Sequence, residues 1–286
     1  MCGIAGFSLK TDEDINANKL GSALLHQIVT RGAHATGMAF VTGKPENRLI
    51  KNYKSNVNAF EFVKKYGDKL PVDAKTAIFH TRFATLGSPL NNLNNHPIRV
   101  GDVVGVHNGH VSNHKEIFEN YTTHRRKAEV DSEAIFSMLA SYKNSESKPT
   151  DLLGLLDGGA AVAWLDTRTG TDLHLARCCN SPLAVAQTAA GSFLFASTDM
   201  LLGKAVKDAG IKLDWIEQIP EWSYIKVRRG RLVEYTDITQ YESANVLTDE
   251  DALALELAGA DHSADPSDDP FDNSNWRHVD MWTDGY

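Results

Sequence analysis

Met1-Cys2-Gly3-Ile4-Ala5-Gly6-Phe7-Ser8-Leu9 opens the chain. From Ile4 to Leu9 the run is apolar and small, and it reads as the first strand of the core. A cysteine stands just before that strand, at the second position. A small residue there permits removal of the initiator methionine, which leaves a cysteine carrying a free α-amine. An unperturbed thiol has a pKa of about 8.5 and an α-amine one of about 8. The amine can therefore take the thiol proton near neutrality, directly or through a water. One residue then supplies both nucleophile and base. A second-position cysteine alone is weak evidence for such chemistry, so the rest of the chain has to carry it.

Working outward, strands are predicted at 4–9, 37–42, 75–83, 103–107, 160–166, 172–177, 183–187 and 193–196, with a hairpin formed by 224–227 and 231–235 around Arg228-Arg229-Gly230. Helical spacing of apolar residues appears at 18–29, 59–66, 115–121, 131–142 and 199–209, the last opening after a Ser197-Thr198 N-cap. Strands outnumber helices, without the strict alternation of a doubly wound sheet. The pattern predicts an α+β layered fold of two largely antiparallel sheets with outer helices.

Composition narrows the function classes. Of 286 residues, 42% are apolar and 23% charged, which is ordinary for a globular chain. No apolar run approaches the roughly 20 residues needed to cross a bilayer, and the N-terminus lacks the basic and apolar regions of a signal peptide. The expectation is a cytoplasmic protein with no membrane partner. The net charge is -8, yet residues 247–286 hold eleven Asp and Glu against the single basic Arg277. The remainder is near neutral and offers no basic surface to nucleic acid. The expected organisation is one domain over residues 2–245 and an acidic tail over 246–286. That tail is poor in apolar residues and expected to be disordered, with an aromatic end of Trp276, Trp282 and Tyr286. Cys178 and Cys179 form neither a disulfide framework nor a metal-binding spacing, and read as small semi-buried strand residues. His96, His107 and His110 lack the spacing of a ligand set, so no metal is expected.

Several short motifs follow Cys2 in order: Arg31-Gly32, His80-Thr81-Arg82-Phe83-Ala84-Thr85, His96-Pro97, His107-Asn108-Gly109, Asp131-Ser132-Glu133, Ser181-Pro182-Leu183 and Phe195-Ala196-Ser197-Thr198-Asp199. Together they resemble the class II glutamine amidotransferases, the family with an N-terminal cysteine nucleophile. The group includes the glutaminase domains of glucosamine-6-phosphate synthase, amidophosphoribosyltransferase and asparagine synthetase. The resemblance covers roughly residues 2–240. It implies a four-layer αββα N-terminal-nucleophile (Ntn) hydrolase sandwich, L-glutamine as substrate, and no cofactor.

The resemblance also implies roles. Cys2 would be the nucleophile. Arg82 would hold the α-carboxylate of glutamine, a planar group that a guanidinium matches bidentately, and Asp131 its α-ammonium. Asn108 and the backbone N–H of Gly109 would form the oxyanion hole. Phe83 and Thr85 would line and cover the pocket. Arg31 would either contact substrate or shape the loop behind the nucleophile. Taken singly, Asn108-Gly109 could be a hairpin turn and Asp131 a helix N-cap. Two positions depart from the glucosamine branch, which has Trp where Phe83 stands and His where Leu86 stands. Family enzymes usually carry a further domain that consumes the ammonia, and the acidic tail is too short to be one. The leading expectation is a glutaminase subunit that passes ammonia to a separate synthase. The alternatives are an Ntn amidohydrolase acting on another γ-glutamyl compound and a non-catalytic glutamine-binding regulatory module.

Overall fold

A computed structural model describes residues 1–44, 47–142, 148–170 and 172–240. The acidic tail expected over 246–286 lies outside them. In chain order the strands are β1 (Gly3–Ser8), β2 (Ala35–Lys44), β3 (Asn47–Ser55), β4 (Thr76–Arg82), β5 (Ile98–Val100), β6 (Val103–Val111), β7 (Gly158–Asp166), β8 (Leu173–Arg177), β9 (Ala184–Thr188), β10 (Phe193–Ala196), β11 (Leu213–Gln218), β12 (Ser223–Arg228) and β13 (Arg231–Asp237). The helices are α1 (Ala17–Ile28), α2 (Ala59–Tyr66), α3 (His114–Asn120), α4 (Ser132–Ser141), α5 (Pro149–Leu153) and α6 (Asp199–Ala209).

Two antiparallel sheets result. One runs β11-β9-β10-β1-β4-β2-β3 and the other β13-β12-β8-β7-β6-β5. Side chains alternate between the faces of a strand, and both sheets are buried on their facing sides. Ile4, Ala39, Ile50, Ile78, Val104, Val106, Leu175, Phe195 and Ile225 fill the space between them. The neighbours in register, Ala5, Phe7, Met38, Phe40, Phe79 and Leu194, turn the other way and pack under Leu20, Leu24, Phe62, Leu202 and Val206 of α1, α2 and α6. On the outer face of the second sheet, α4 lies so close that a Cβ at Gly105 would sit 1.9 Å from the Phe136 ring. The layers are therefore helix, sheet, sheet, helix. The expected α+β sandwich is what the chain forms.

Helix ends follow local rules. Asn16, Asn58 and Thr198 cap α1, α2 and α6 by accepting backbone N–H groups. The hairpin at Arg229-Gly230 has both residues at positive φ, the conformation that matches strand twist. Three strands escape the sequence reading: β3, β5 and β11. All three are sheet edges. Half-exposed edges have no need of a continuous apolar pattern, and β3 and β11 carry exposed polar residues along their length. Helix α5 is also missed because its five residues are too few to show a period. Cys178 and Cys179 lie just past the end of β8 rather than on a strand, the first buried and the second partly so. Among the described residues no helix is long and apolar enough to cross a membrane.

Glycines test the packing in opposite directions. A Cβ at Gly6 in β1 would come within 2.4 Å of the Ala77 carbonyl and of the Phe195 ring, whereas one at Gly203 in α6 would meet nothing within 4 Å. Gly6→Ala is expected to destabilise the fold by about 1–3 kcal/mol, the usual cost of overpacking. Gly203→Ala should stabilise it by about 0.5–1 kcal/mol through helix propensity. Thermal or urea melts of the two variants decide this, and equal shifts would contradict the placement of β1 between β4 and β10.

Candidate active site

The site is assembled by strand register. β1 pairs with β4 so that Gly3 lies opposite Thr81 and Ile4 opposite His80. Cys2, one residue earlier, comes alongside Arg82. Ile4 and Ile78 face the space between the sheets, so alternation turns His80 and Arg82 the same way. In β6, Val104 and Val106 face that space from the other sheet, and Asn108 follows them two residues on. Three motifs about 25 to 80 residues apart in sequence thus converge at one end of the sandwich.

Cys2 is partly buried, and its Sγ lies 3.7 Å from the Phe83 carbonyl oxygen. Arg31, at the end of the turn after α1, donates from Nε to the Cys2 carbonyl at 2.7 Å. It therefore braces the backbone at Cys2. Gly32 permits this, since a Cβ there would strike the Arg82 and Phe83 backbone at 2.4 Å. Burial pushes the Cys2 thiol above its ordinary range. The positive charges of the chain's amino terminus and of Arg82 oppose that rise. Burial, with a further contribution from Cys179, raises Cys178 to about 12, which makes it a poor nucleophile.

Arg82 is 3% exposed. Its guanidinium donates to Asn95 Oδ1 at 2.9 Å and to the Leu86 and Gly87 carbonyls at 2.5 and 2.8 Å. Burial lowers its pKa, against the raising effect of Cys2, Glu129 and Asp131. All three of its partners are neutral, and among the described residues it forms no ion pair. Leu86, which stands where the glucosamine branch has His, contributes through its backbone carbonyl.

Asn108 and Gly109 sit inside β6 and pair with Ala161 and Ala160 of β7, so they are not a hairpin turn. Asn108 is 2% exposed, and its side-chain Nδ2 is buried without a hydrogen-bond partner. A buried donor left unpaired costs about 1–3 kcal/mol. Gly109 has φ +150°, and a Cβ there would overlap the Gly159 carbonyl at 1.8 Å, so only glycine fits.

Asp131 stands at the N-cap position of α4, but its side chain makes no capping hydrogen bond. Its Oδ2 instead accepts the Val111 N–H at 2.7 Å and lies 3.5 Å from His110 Nδ1. That contact brings its carboxylate to the end of β6. Phe83 is exposed and stacks on His34 with ring centroids 5.1 Å apart. Thr85 is exposed in the same loop. Beneath the site, burial holds His80 at about 3 and drives His96 and His107 below their ordinary values. These imidazoles are neutral, and the basic groups beside them are Arg82 and Lys54, the latter lowered by burial to about 7. Among the described residues no group of His, Cys, Asp and Glu is placed to hold a metal ion.

Sequence reasoning passed over His34, Lys54 and the run Asn91-Asn92-Leu93-Asn94-Asn95. His34 Nδ1 accepts the Ala84 N–H at 2.9 Å and so ties the pocket loop to the turn after α1. Asn94 and Asn95 are both 0% exposed. Four asparagines in five residues were a visible signal for a loop built on side-chain hydrogen bonds, but not for what those bonds hold.

Two antiparallel sheets between helix layers, with Cys2 just before the central strand β1, form a fold shared with known amidotransferase structures. Residues 80–204 match the family model described as glutamine amidotransferase domain. The chain is 30% identical over 192 residues to a glutamine–fructose-6-phosphate aminotransferase (isomerizing) of Streptococcus agalactiae, an alignment covering 65% of this chain and 30% of that protein. The same enzyme of Staphylococcus aureus is 29% identical over 184 residues, covering 62% and 29%. Among solved structures, the glutamine phosphoribosylpyrophosphate amidotransferase of B. subtilis superposes with TM-score 0.66 at 17% identity, over 84% of this chain and 50% of that one. A glutamine aminotransferase class-II domain protein of Silicibacter pomeroyi superposes with TM-score 0.53 at 13% identity, over 83% and 99%. The alignments span about a third of the length of the curated relatives. Over residues 80–204 this chain is similar to glutamine amidotransferase domains.

The buried thiol gives a direct test. With Met1 retained, alkylation of Cys2 by iodoacetamide should be slow at pH 7.5 and should accelerate with a midpoint above that of free cysteine. Removing Met1 places the ammonium on Cys2 itself and should lower that midpoint. Peptide mass mapping against pH reads both, and a Met1-bearing Cys2 that titrates like an activated thiol would contradict the burial described.

Proposed function

We propose that the chain is a glutaminase that hydrolyses L-glutamine to glutamate and ammonia with Cys2, freed of Met1, as nucleophile. The observation that carries the proposal is the buried, unpaired Asn108 Nδ2 on the same inter-sheet face as Cys2 and the unneutralised Arg82.

The α-amine of Cys2 takes the thiol proton, and Sγ attacks the carbon of the side-chain amide. As the C–S bond forms, the amide oxygen gains charge and receives hydrogen bonds from Asn108 Nδ2 and the Gly109 N–H. The protonated amine then gives its proton to the nitrogen, the C–N bond breaks, and ammonia leaves a γ-glutamyl thioester. Water, deprotonated by the same amine, attacks the thioester and releases glutamate and the thiol. In this scheme Arg82 pairs with the α-carboxylate and Asp131 with the α-ammonium. Arg31 holds the Cys2 carbonyl, and Phe83 with Thr85 borders the pocket. The scheme needs no cofactor.

The ammonia would pass to a separate synthase, and the protein would act in the cytoplasm. Ammonia released into water is protonated and lost as a nucleophile, which favours a docked acceptor. Both statements belong to the proposal.

Kinetics of the purified chain test it. Cys2→Ala should abolish glutamine hydrolysis without loss of fold. Asn108→Ala should lower kcat by about a hundredfold or more, the scale of an oxyanion-hole deletion. Arg82→Ala should chiefly raise KM, because the α-carboxylate is unchanged along the reaction. Release of glutamate from other γ-glutamyl compounds in preference to glutamine would overturn the substrate assignment, and an Asn108→Ala effect confined to KM would overturn the oxyanion hole.

A further inference from the structure

Arg82 is buried, charged and surrounded by neutral acceptors, and one of these is the side chain of Asn95. Asn95 is 0% exposed. Its Oδ1 accepts from Arg82 Nη1 at 2.9 Å. Its Nδ2 donates to the Pro89 carbonyl at 2.8 Å and to Asn92 Oδ1 at 3.1 Å. Its backbone carbonyl accepts from Lys54 Nζ at 2.7 Å. Every polar atom of the side chain is used, so the amide cannot rotate without losing bonds on both sides. The carboxylate of Glu129, which acts on Arg82 through charge, is hydrogen-bonded to Asn94 Nδ2 and not to Arg82. The Glu129 backbone N–H is also taken, by Asn94 Oδ1 at 2.8 Å.

We propose that Asn95 is a positioning residue that orients the Arg82 guanidinium through a neutral acceptor and so keeps its charge available for an anionic group of the substrate. The inference rests on the glutaminase reading and assigns that reading's carboxylate selectivity to Asn95. An aspartate at the same position would orient Arg82 equally well. It would also neutralise it and repel a substrate carboxylate from the same pocket. An acceptor that is uncharged holds geometry and leaves the full attraction to the ligand, which a carboxylate cannot do. Asn94 completes the device by holding the competing Glu129 carboxylate elsewhere.

The isosteric Asn95→Asp isolates charge from shape. With the full chain, Asn95→Asp should raise KM for L-glutamine by about tenfold or more with kcat within about twofold, since only ground-state binding is altered. The wild-type preference for L-glutamine over L-glutamine α-amide, which lacks the carboxylate, should fall by a similar factor in kcat/KM. Asn95→Ala, which frees the guanidinium without adding charge, should raise KM by less than Asn95→Asp. A purely structural role predicts the reverse order, because alanine removes every bond and aspartate keeps the shape. Unchanged KM and unchanged α-amide discrimination in Asn95→Asp would overturn the inference. If the wild type hydrolyses neither compound while Cys2 is shown free of Met1, the glutaminase reading itself falls, and this inference with it.

Discussion

Everything at the site depends on the antiparallel register between β1 and β4. Opposing Gly3 with Thr81 sets the second residue of the chain beside the last residue of an interior strand. A shift of one residue would turn Arg82 out of the inter-sheet space and Ile4 into the helix layer, because side-chain direction alternates with period two. That register is protected on both sides. β1 also pairs with β10, and Ser197 Oγ accepts the Ile4 N–H at 2.9 Å. A chain terminus is ordinarily the loosest part of a domain. Here it leads into a central strand, and that gives Cys2 the support of a core element.

The electrostatics of the site follow from burial. A charge in a low-dielectric interior is costly unless paired, and the groups around Cys2 meet that constraint in different ways. His80, His96 and His107 stay neutral. Asp131 satisfies one oxygen on a backbone N–H. Arg82 cannot lose its proton, and it is held by carbonyl oxygens and an amide. The unpaired Asn108 Nδ2 is the corresponding unsatisfied donor. Asn108 Nδ2 without a partner and Arg82 with neutral partners only are thus the groups here whose burial is least compensated.

What could be read from the amino-acid sequence was governed by local rules. The buried strands, the long helices and their asparagine and threonine caps are recorded in apolar periodicity and in side chains that bond their own backbone. The αββα layering could be anticipated from the interspersed strands and, more sharply, from ordered motifs that resemble a known family. The residues with chemical character, Cys2, Arg82, Asn108 and Asp131, were visible because each type is suited to one task and each stood in a recognisable setting. The strands β3, β5 and β11 were not visible, since an edge is defined by its neighbours and not by its own composition.

Tertiary structure alone decided how those residues serve one another. Arg31 could have faced substrate or backbone, and its bond to the Cys2 carbonyl makes it a brace. Asn108-Gly109 and Asp131 were compatible with a turn and a cap until strand pairing carried β6 through to Val111 and a backbone N–H claimed the aspartate. Asn95 carried no signal of its own. Its role depends on Arg82 thirteen residues earlier and on Lys54 in another strand. Such bonds form only after the sheets have assembled, and no local rule of spacing or propensity encodes a contact between side chains whose strands meet only in the folded chain. Residue types and periods are written in the sequence, whereas the pairing of one buried group with another is set by the register of strands.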